Sequence, residues 1–272
     1  MKKFPFIVLV FFLFTSFKKR ELTWLALGDS ITYLNDHQNE TGNRVTRGYM
    51  TRVCERRSYI HYINQGHNGW TAVRIADSIE KLSLVKADIY TIFLGTNDWW
   101  QGRTLGRLSD YQNNSGDGTV YGSFRTIVKK LRTLNPQAKI IFIAPMQRAD
   151  FVYINNPKNN AYGSYKEKNG QSLEQFAFAI DSIASYEHVP VIDLYHQKEL
   201  SLPHLVKFKR LKDSQSADYK DFSYPDYIGI PFNAATDEYP YPPEAIDMTY
   251  DGLHPSDKGY EFIAHKLLKQ IK

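Results

Sequence analysis

The sequence predicts an α/β protein, a single doubly wound domain of three layers around a parallel sheet of about five strands. Three observations carry this. Five short apolar runs recur along the 272 residues, each rich in Ile, Val, Leu or aromatics and almost unbroken by charge. Near-continuous apolar strands belong to a parallel sheet covered on both faces. Segments with helical spacing lie between them, which is the alternation of βαβ units. The length suits one large α/β domain, and 42% apolar with 23% charged residues is an ordinary composition for a chain with a full core.

The strands are predicted at 23–27, 59–64, 88–94, 139–144 and 189–194. The helices are predicted in "RGYMTRVCERR" after the first strand, "TAVRIADSIEKL" after the second and "VYGSFRTIVKKLRTLN" after the third. "SLEQFAFAIDSIASYE" follows the fourth, and "DKGYEFIAHKLLKQIK" closes the chain. Two stretches break the alternation. Residues 105–118 are rich in Asn, Gly and Ser, and residues 195–250 gather tyrosines and prolines. Loops of that length inside a domain are functional or carry small elements of their own. No internal repeat and no second domain is evident.

Residues 1–20 stand apart from the domain predicted at 21–272. Lys2 and Lys3 precede an apolar run from Phe4 to Phe14, and Lys18, Lys19 and Arg20 follow it. A basic segment before a short apolar one reads as a secretory signal, and the run is short for a membrane span. No clear small-residue cleavage site precedes Glu21, so an uncleaved N-terminal anchor is the alternative. Export without disulfides, since Cys54 is the sole cysteine, points to a bacterial periplasmic or secreted protein. The five basic residues of the leader account for the whole formal charge of +5, leaving the domain near neutral. No basic stripe interleaved with aromatics follows, so nucleic acid is not expected as a partner. A membrane is expected only through the anchor.

In an open parallel sheet, ligands bind beyond the carboxyl ends of the strands. "LGDSITY" places Ser30 directly after the first strand, "NQGHNGWT" places Gly69 after the second, and "GTNDWW" places Asn97 after the third. "YDGLHPSDKG" puts Asp251 and His254 three residues apart just before the last helix, a spacing that lets both side chains lie on one side of a turn. Singly, Ser30 reads as a turn or cap residue, Gly69 as a turn glycine and Asn97 as a loop residue with local bonds. Asp251-Gly252 alone is a turn, and His254 alone a surface histidine.

Together and in this order, the four blocks, spread over residues 27–256, resemble those of the SGNH (GDSL-type) hydrolase family. The resemblance implies a flavodoxin-like sheet of order 2-1-3-4-5 and ester hydrolysis through an acyl-enzyme. A serine hydroxyl needs an adjacent base to act as a nucleophile. By this resemblance Ser30 is the nucleophile, His254 the base and later the acid, and Asp251 the residue that fixes the imidazole tautomer. The oxyanion donors are then the backbone N–H of Ser30, that of Gly69 and the side-chain amide of Asn97. No metal or other cofactor is implied.

Substrate-binding candidates surround these blocks: Asp29 beside Ser30, Trp70 beside Gly69, Trp99 and Trp100 after Asp98, and Arg148 after the fourth strand. Flat aromatic faces suit sugar rings, whereas the plain alternative is that the tryptophans pack loops against the sheet. Arg148 is expected to meet an acidic or sugar group, or else to form a surface salt bridge. The aromatic cluster between Tyr219 and Tyr250 is either a lid or platform over the site or a self-packed loop. The expected function is a carbohydrate esterase that removes acetyl groups from a glycan. Alternatives are a lysophospholipase or lipid esterase, an acyltransferase, and a silent glycan-binding protein on the same scaffold.

Overall fold

Alternate side chains of the first strand divide between two cores. Trp24 and Ala26 enter one, while Leu25 and Leu27 enter the other, as a period of two requires. The computed structural model describes residues 19–213, 216 and 218–271. The expected signal or anchor at 1–20 falls almost wholly outside them.

The strands are β1 (Leu22–Gly28), β2 (Ile60–Gly66), β3 (Ile89–Phe93), β4 (Lys139–Ile143), β5 (Phe151–Val152), β6 (Asn160–Ala161), β7 (Val191–Ile192), β8 (Lys209–Lys212) and β9 (Tyr219–Phe222). The helices are α1 (Ser30–Tyr33), α2 (Tyr49–Arg56), α3 (Ala72–Asp77), α4 (Thr96–Trp100), α5 (Leu108–Gln112), α6 (Val120–Leu134), α7 (Leu173–Glu187), α8 (Leu202–Leu205) and α9 (Asp257–Gln270). β1, β2, β3, β4 and β7 form one parallel sheet in the order β2-β1-β3-β4-β7, the predicted five-strand arrangement. β5 pairs with β6 and β8 with β9 in separate antiparallel ribbons.

β3 and β4 alternate like β1. Ile89, Phe93, Ile141 and Ile143 face the core shared with α2 and α9, whereas Tyr90, Ile92, Ile140 and Phe142 face α3, α6 and α7. These strands are buried on both sides, which is why their sequence is almost wholly apolar; the buried exception, Thr91, accepts the Trp24 indole N–H at 2.9 Å. Helix starts are capped by Thr71, Thr119, Ser172 and Ser256, whose side chains accept first-turn N–H groups. The helix predicted from "TAVRIADSIEKL" is shorter than expected. The Ser78 N–H is shared between the carbonyls of Arg74 and Ile75, which tightens the chain into a 3₁₀ turn at Ile79–Lys81.

The two irregular stretches carry small elements. Residues 105–118 hold α5, and residues 195–250 hold α8 and the β8/β9 ribbon. Tyr227, Tyr241 and Tyr250 are fully buried in the core of the α2/α9 side, so the second stretch is packed onto the domain rather than free above it. Among the described residues, no helix is long and apolar enough to cross a membrane.

Candidate active site

β1 ends at Gly28, and the chain turns at once into α1, with Ser30 as its first residue. The Asp29 carboxylate caps this turn by accepting the Ile31 N–H at 3.0 Å. From the far side, the Tyr260 hydroxyl donates to the Ile31 carbonyl at 3.0 Å. Ser30 is thus held on a rigid element, 6% exposed. Asp29 is buried beneath it and supports the nucleophile turn, rather than presenting a surface for substrate.

After β2 the chain makes a tight turn closed by the Trp70 N–H on the His67 carbonyl. Gly69 has φ +75°, and a Cβ there would meet nothing within 4 Å. The demand for glycine therefore comes from the left-handed backbone, not from crowding by protein atoms. α4, after β3, and the residue that follows it brace this turn and the start of α3 with three side chains. The Asn97 amide donates to the Trp70 carbonyl at 3.1 Å, Gln101 donates to the Gly69 carbonyl at 2.9 Å, and Asp98 accepts the Ala72 N–H at 2.9 Å. One N–H of the Asn97 amide is thereby fixed, which orients the other. Asp98 and Gln101 do this bracing without having been singled out by the sequence, although Asp98 lies inside "GTND".

The third component comes from the loop before α9. The Tyr250 N–H bonds the His254 carbonyl at 3.0 Å and closes a tight turn. Inside it, one Asp251 oxygen accepts the N–H groups of Leu253 (3.0 Å) and His254 (2.7 Å). The other lies 2.7 Å from His254 Nδ1. An ionised carboxylate only accepts, so its partners assign the proton to Nδ1 and leave the Nε2 lone pair free. Nε2 lies 2.9 Å from Ser30 Oγ. Asp251 is fully buried and His254 5% exposed. The imidazole is walled by Tyr250, stacked at 5.9 Å, and by Phe151, edge-on at 5.4 Å. Gly252 has φ +89°, and a Cβ would fall 2.0 Å from the Asp150 carbonyl oxygen. This close approach brings the 149–152 segment against the turn, where Ala149 and Val152 donate to the carbonyls of Gly252 and Asp251.

The aromatic candidates separate. Trp99 is fully buried and donates to the Gln171 carbonyl. It has no free face, so the expectation of a sugar platform fails for it and packing is its role. Trp70 and Trp100 are partly exposed. Trp70 stacks on His67 at 4.5 Å and lies under Arg74, while Arg148 and Lys168 lie over the Trp100 ring. Arg148 is not the surface salt-bridge residue of the sequence alternative. It is 1% exposed, and among the described residues no carboxylate reaches it within 4 Å. Its charge sits on Trp99 and Trp100, and burial pulls its pKa down to about 9. Among the described residues no cluster of His, Cys, Asp and Glu suits a metal ion.

Desolvation pushes the carboxyls of Asp29 and Asp98 up to about 6 from 3.8. A raised carboxyl pKa favours the protonated form in the folded state. At these two groups the native state holds more protons than the unfolded one between about pH 4 and 6, and their contribution to stability is lost as pH rises through that window. A displacement of this size corresponds to ~3 kcal/mol per group. Asp98→Asn is thus expected to gain in melting temperature relative to the unsubstituted protein between pH 4 and 8. A difference independent of pH would count against the assignment.

The chain matches the model of the "GDSL-like Lipase/Acylhydrolase family" over residues 26–262. No curated protein sequence matches it. Among solved structures, "a possible lipase" from Chitinophaga pinensis is 60% identical with a TM-score of 0.90, covering 92% of this chain and 97% of its own. A protein from Lactobacillus plantarum is 21% identical (TM-score 0.60; 93% of this chain and 97% of its own). The acetyl xylan esterase AlAXEase is 17% identical (TM-score 0.55; 92% and 100%). These last two share the fold. The family match over most of the length and the close structural relative lead to one assignment: the chain belongs to the GDSL-like lipase/acylhydrolase family and is an SGNH-type hydrolase of carboxylic esters.

Proposed function

We propose that the protein hydrolyses its ester through a covalent acyl-enzyme on Ser30, and that its substrate is an acetylated glycan. The observation that carries the first part is the unbroken, buried hydrogen-bonded chain from Ser30 Oγ through His254 to Asp251. His254 Nε2 takes the hydroxyl proton as Oγ attacks the carbonyl carbon, and Asp251 stabilises the resulting imidazolium. The oxyanion is met by the N–H groups of Ser30 and Gly69 and by the free N–H of the Asn97 amide. The imidazolium then protonates the leaving alcohol, and water repeats the sequence to release the acid.

The glycan reading is supported by the partly exposed Trp70 and Trp100 on the segments that carry Gly69 and Asn97. A lipid ester is the second reading, favoured by the "possible lipase" description of the Chitinophaga pinensis structure. Turnover of aryl acetate against long-chain aryl esters separates the two. Export is part of the same proposal and rests on Lys2, Lys3 and the apolar run after them. A single experiment tests both catalysis and export. Fluorophosphonate labelling of envelope and secreted fractions from the native host is expected to yield one adduct on Ser30, in a chain beginning near residue 21. Labelling that persists in Ser30→Ala removes the nucleophile, and a chain beginning at Met1 in the membrane fraction replaces the signal with an anchor.

A further inference from the structure

Beside the His254 turn, the strap between β4 and α7 encloses a cleft of about 220 Å³ lined by Phe151, Tyr162, Tyr165, Lys166 and Phe232 among others. It shares a wall with the imidazole, since the Phe151 ring meets that of His254. Of its charged lining residues, Asp150, Lys166 and Lys209, only Lys166 lacks an ion-pair partner among the described residues. Lys209 is matched, at 2.8 Å, by Asp150. Asp150 is saturated, because its second oxygen accepts the Gly163 N–H and the Tyr165 hydroxyl. Lys166 is exposed, with its ammonium 5.5 and 5.8 Å from the Tyr162 and Tyr165 ring centroids, and it has no ion pair among the described residues. Lys168 lies over Trp100 in the same unpaired state. The acidic residue between them, Glu167, is exposed and makes no ion pair among the described residues either.

Arg148 lies behind the cleft wall and is the least satisfied of these cations. One terminal nitrogen, Nη2, donates to the Tyr162 carbonyl. Its Nε is buried with no acceptor, and its guanidinium rests on Trp99 and Trp100 at 4.8 and 4.5 Å. Trp99 and Trp100 follow Asn97 on α4, so this cation rests on the element that carries Asn97. Burying an unpaired guanidinium is costly, and an anion held in the neighbouring cleft would offset part of that cost through its field. A cleft of this volume is smaller than the pockets that hold drug-sized ligands, so it fits one sugar ring better than a long acyl tail.

We propose, building on the esterase reading above, that this cleft receives a carboxylate-bearing sugar of the ester substrate, with Lys166 as its charge partner at the rim and the buried Arg148 as a second positive charge behind the wall. The substrate is then an acetylated acidic glycan, with the uronate seated beside the ester under attack. Lys166 supplies an ammonium at the rim, and the Arg148 guanidinium acts through the wall by its field, which is little screened where water is excluded.

The test compares kcat/KM on acetylated oligogalacturonate with that on acetylated xylo-oligosaccharide. The unsubstituted protein is expected to prefer the acidic substrate, and the preference to shrink as salt is raised. Lys166→Glu, at an exposed position where folding is not at stake, is expected to cut the acidic-to-neutral ratio about tenfold or more, chiefly through KM. Arg148→Met, which keeps apolar contact with the tryptophans, is expected to lower the same ratio. A ratio unchanged in both variants overturns the proposal. So does a loss in Arg148→Met that is equal on both substrates and accompanied by a lower melting temperature, if Lys166→Glu leaves the ratio intact. Lysophosphatidylglycerol turned over faster than either glycan would assign the cations to a lipid headgroup and overturn it as well. Calorimetric binding of free galacturonate against galactose needs no turnover. It therefore judges the cleft separately from the esterase reading, which falls only if Ser30 is not the labelled residue. Equal affinity for the two sugars overturns the cleft assignment.

Discussion

Alanine in place of His254 is expected to lower kcat roughly 10⁴- to 10⁶-fold, because a serine hydroxyl without its base is barely nucleophilic. The groups act as a unit. The double variant Ser30→Ala/His254→Ala should consequently be scarcely slower than either single one. Asp251→Asn is expected to cost about 10⁴-fold by a different route. Asp251 accepts two backbone N–H groups on one oxygen and the imidazole on the other. An asparagine keeps the first pair only by turning its amide carbonyl toward them, which points its NH₂ at Nδ1. The imidazole must then carry its proton on Nε2, facing Ser30 with no lone pair to offer. The loss is therefore one of tautomer, with the turn still formed, and melting temperature and turnover measured on the same preparations would separate it from unfolding. Turnover near the unsubstituted level in His254→Ala would place the base elsewhere.

The sequence disclosed most where burial is two-sided. β1, β3 and β4 are almost wholly apolar, so their runs stand out; the strand ends brought Ser30, Gly69 and Asn97 to one sheet edge, and the resemblance of the four blocks joined the Asp251–His254 turn to them. β7 was harder. Only Val191 and Ile192 pair with β4, so most of the run at 189–194 lies outside the ladder. α1 and α4 are single turns directly after strands, too short for a period of 3.6 to register. Without α4 there was no phase to tell Trp99, which turns into the core, from Trp100, which stays at the rim.

The charged residues were least legible. Nothing in "APMQRAD" distinguishes a surface arginine from one buried on two indole rings, since the partners lie about fifty residues earlier in the chain. The tyrosines of 195–250 enter the core singly, without a helix or strand period, so their burial depends on tertiary packing alone. Asp150 shows the same limit. Its role as the anchor for Lys209, Tyr165 and Gly163, directly behind the His254 turn, is created by folding.

Asn97→Ala is expected to lower kcat and kcat/KM together by ~100- to 1,000-fold on an aryl acetate, with KM little changed. Full negative charge on the carbonyl oxygen exists only as the tetrahedral intermediate forms, so a donor aimed at it stabilises the transition state more than bound ester. The amide is well prepared for this. Its bond to the Trp70 carbonyl ties it to the turn that carries Gly69, another of the proposed donors. A structural reading predicts otherwise: if Asn97 only tied the turn down, alanine would loosen the 67–71 segment, lower the melting temperature and raise KM. Asn97→Asp sharpens the distinction. It is nearly isosteric, yet it loses the bond to Trp70 as well as the donor and brings a carboxylate toward the oxyanion, so it is expected to be slower than alanine. Activity in Asn97→Asp above that of Asn97→Ala, or a loss confined to KM in the alanine variant, would remove Asn97 from the oxyanion hole and leave the two backbone N–H groups to carry it.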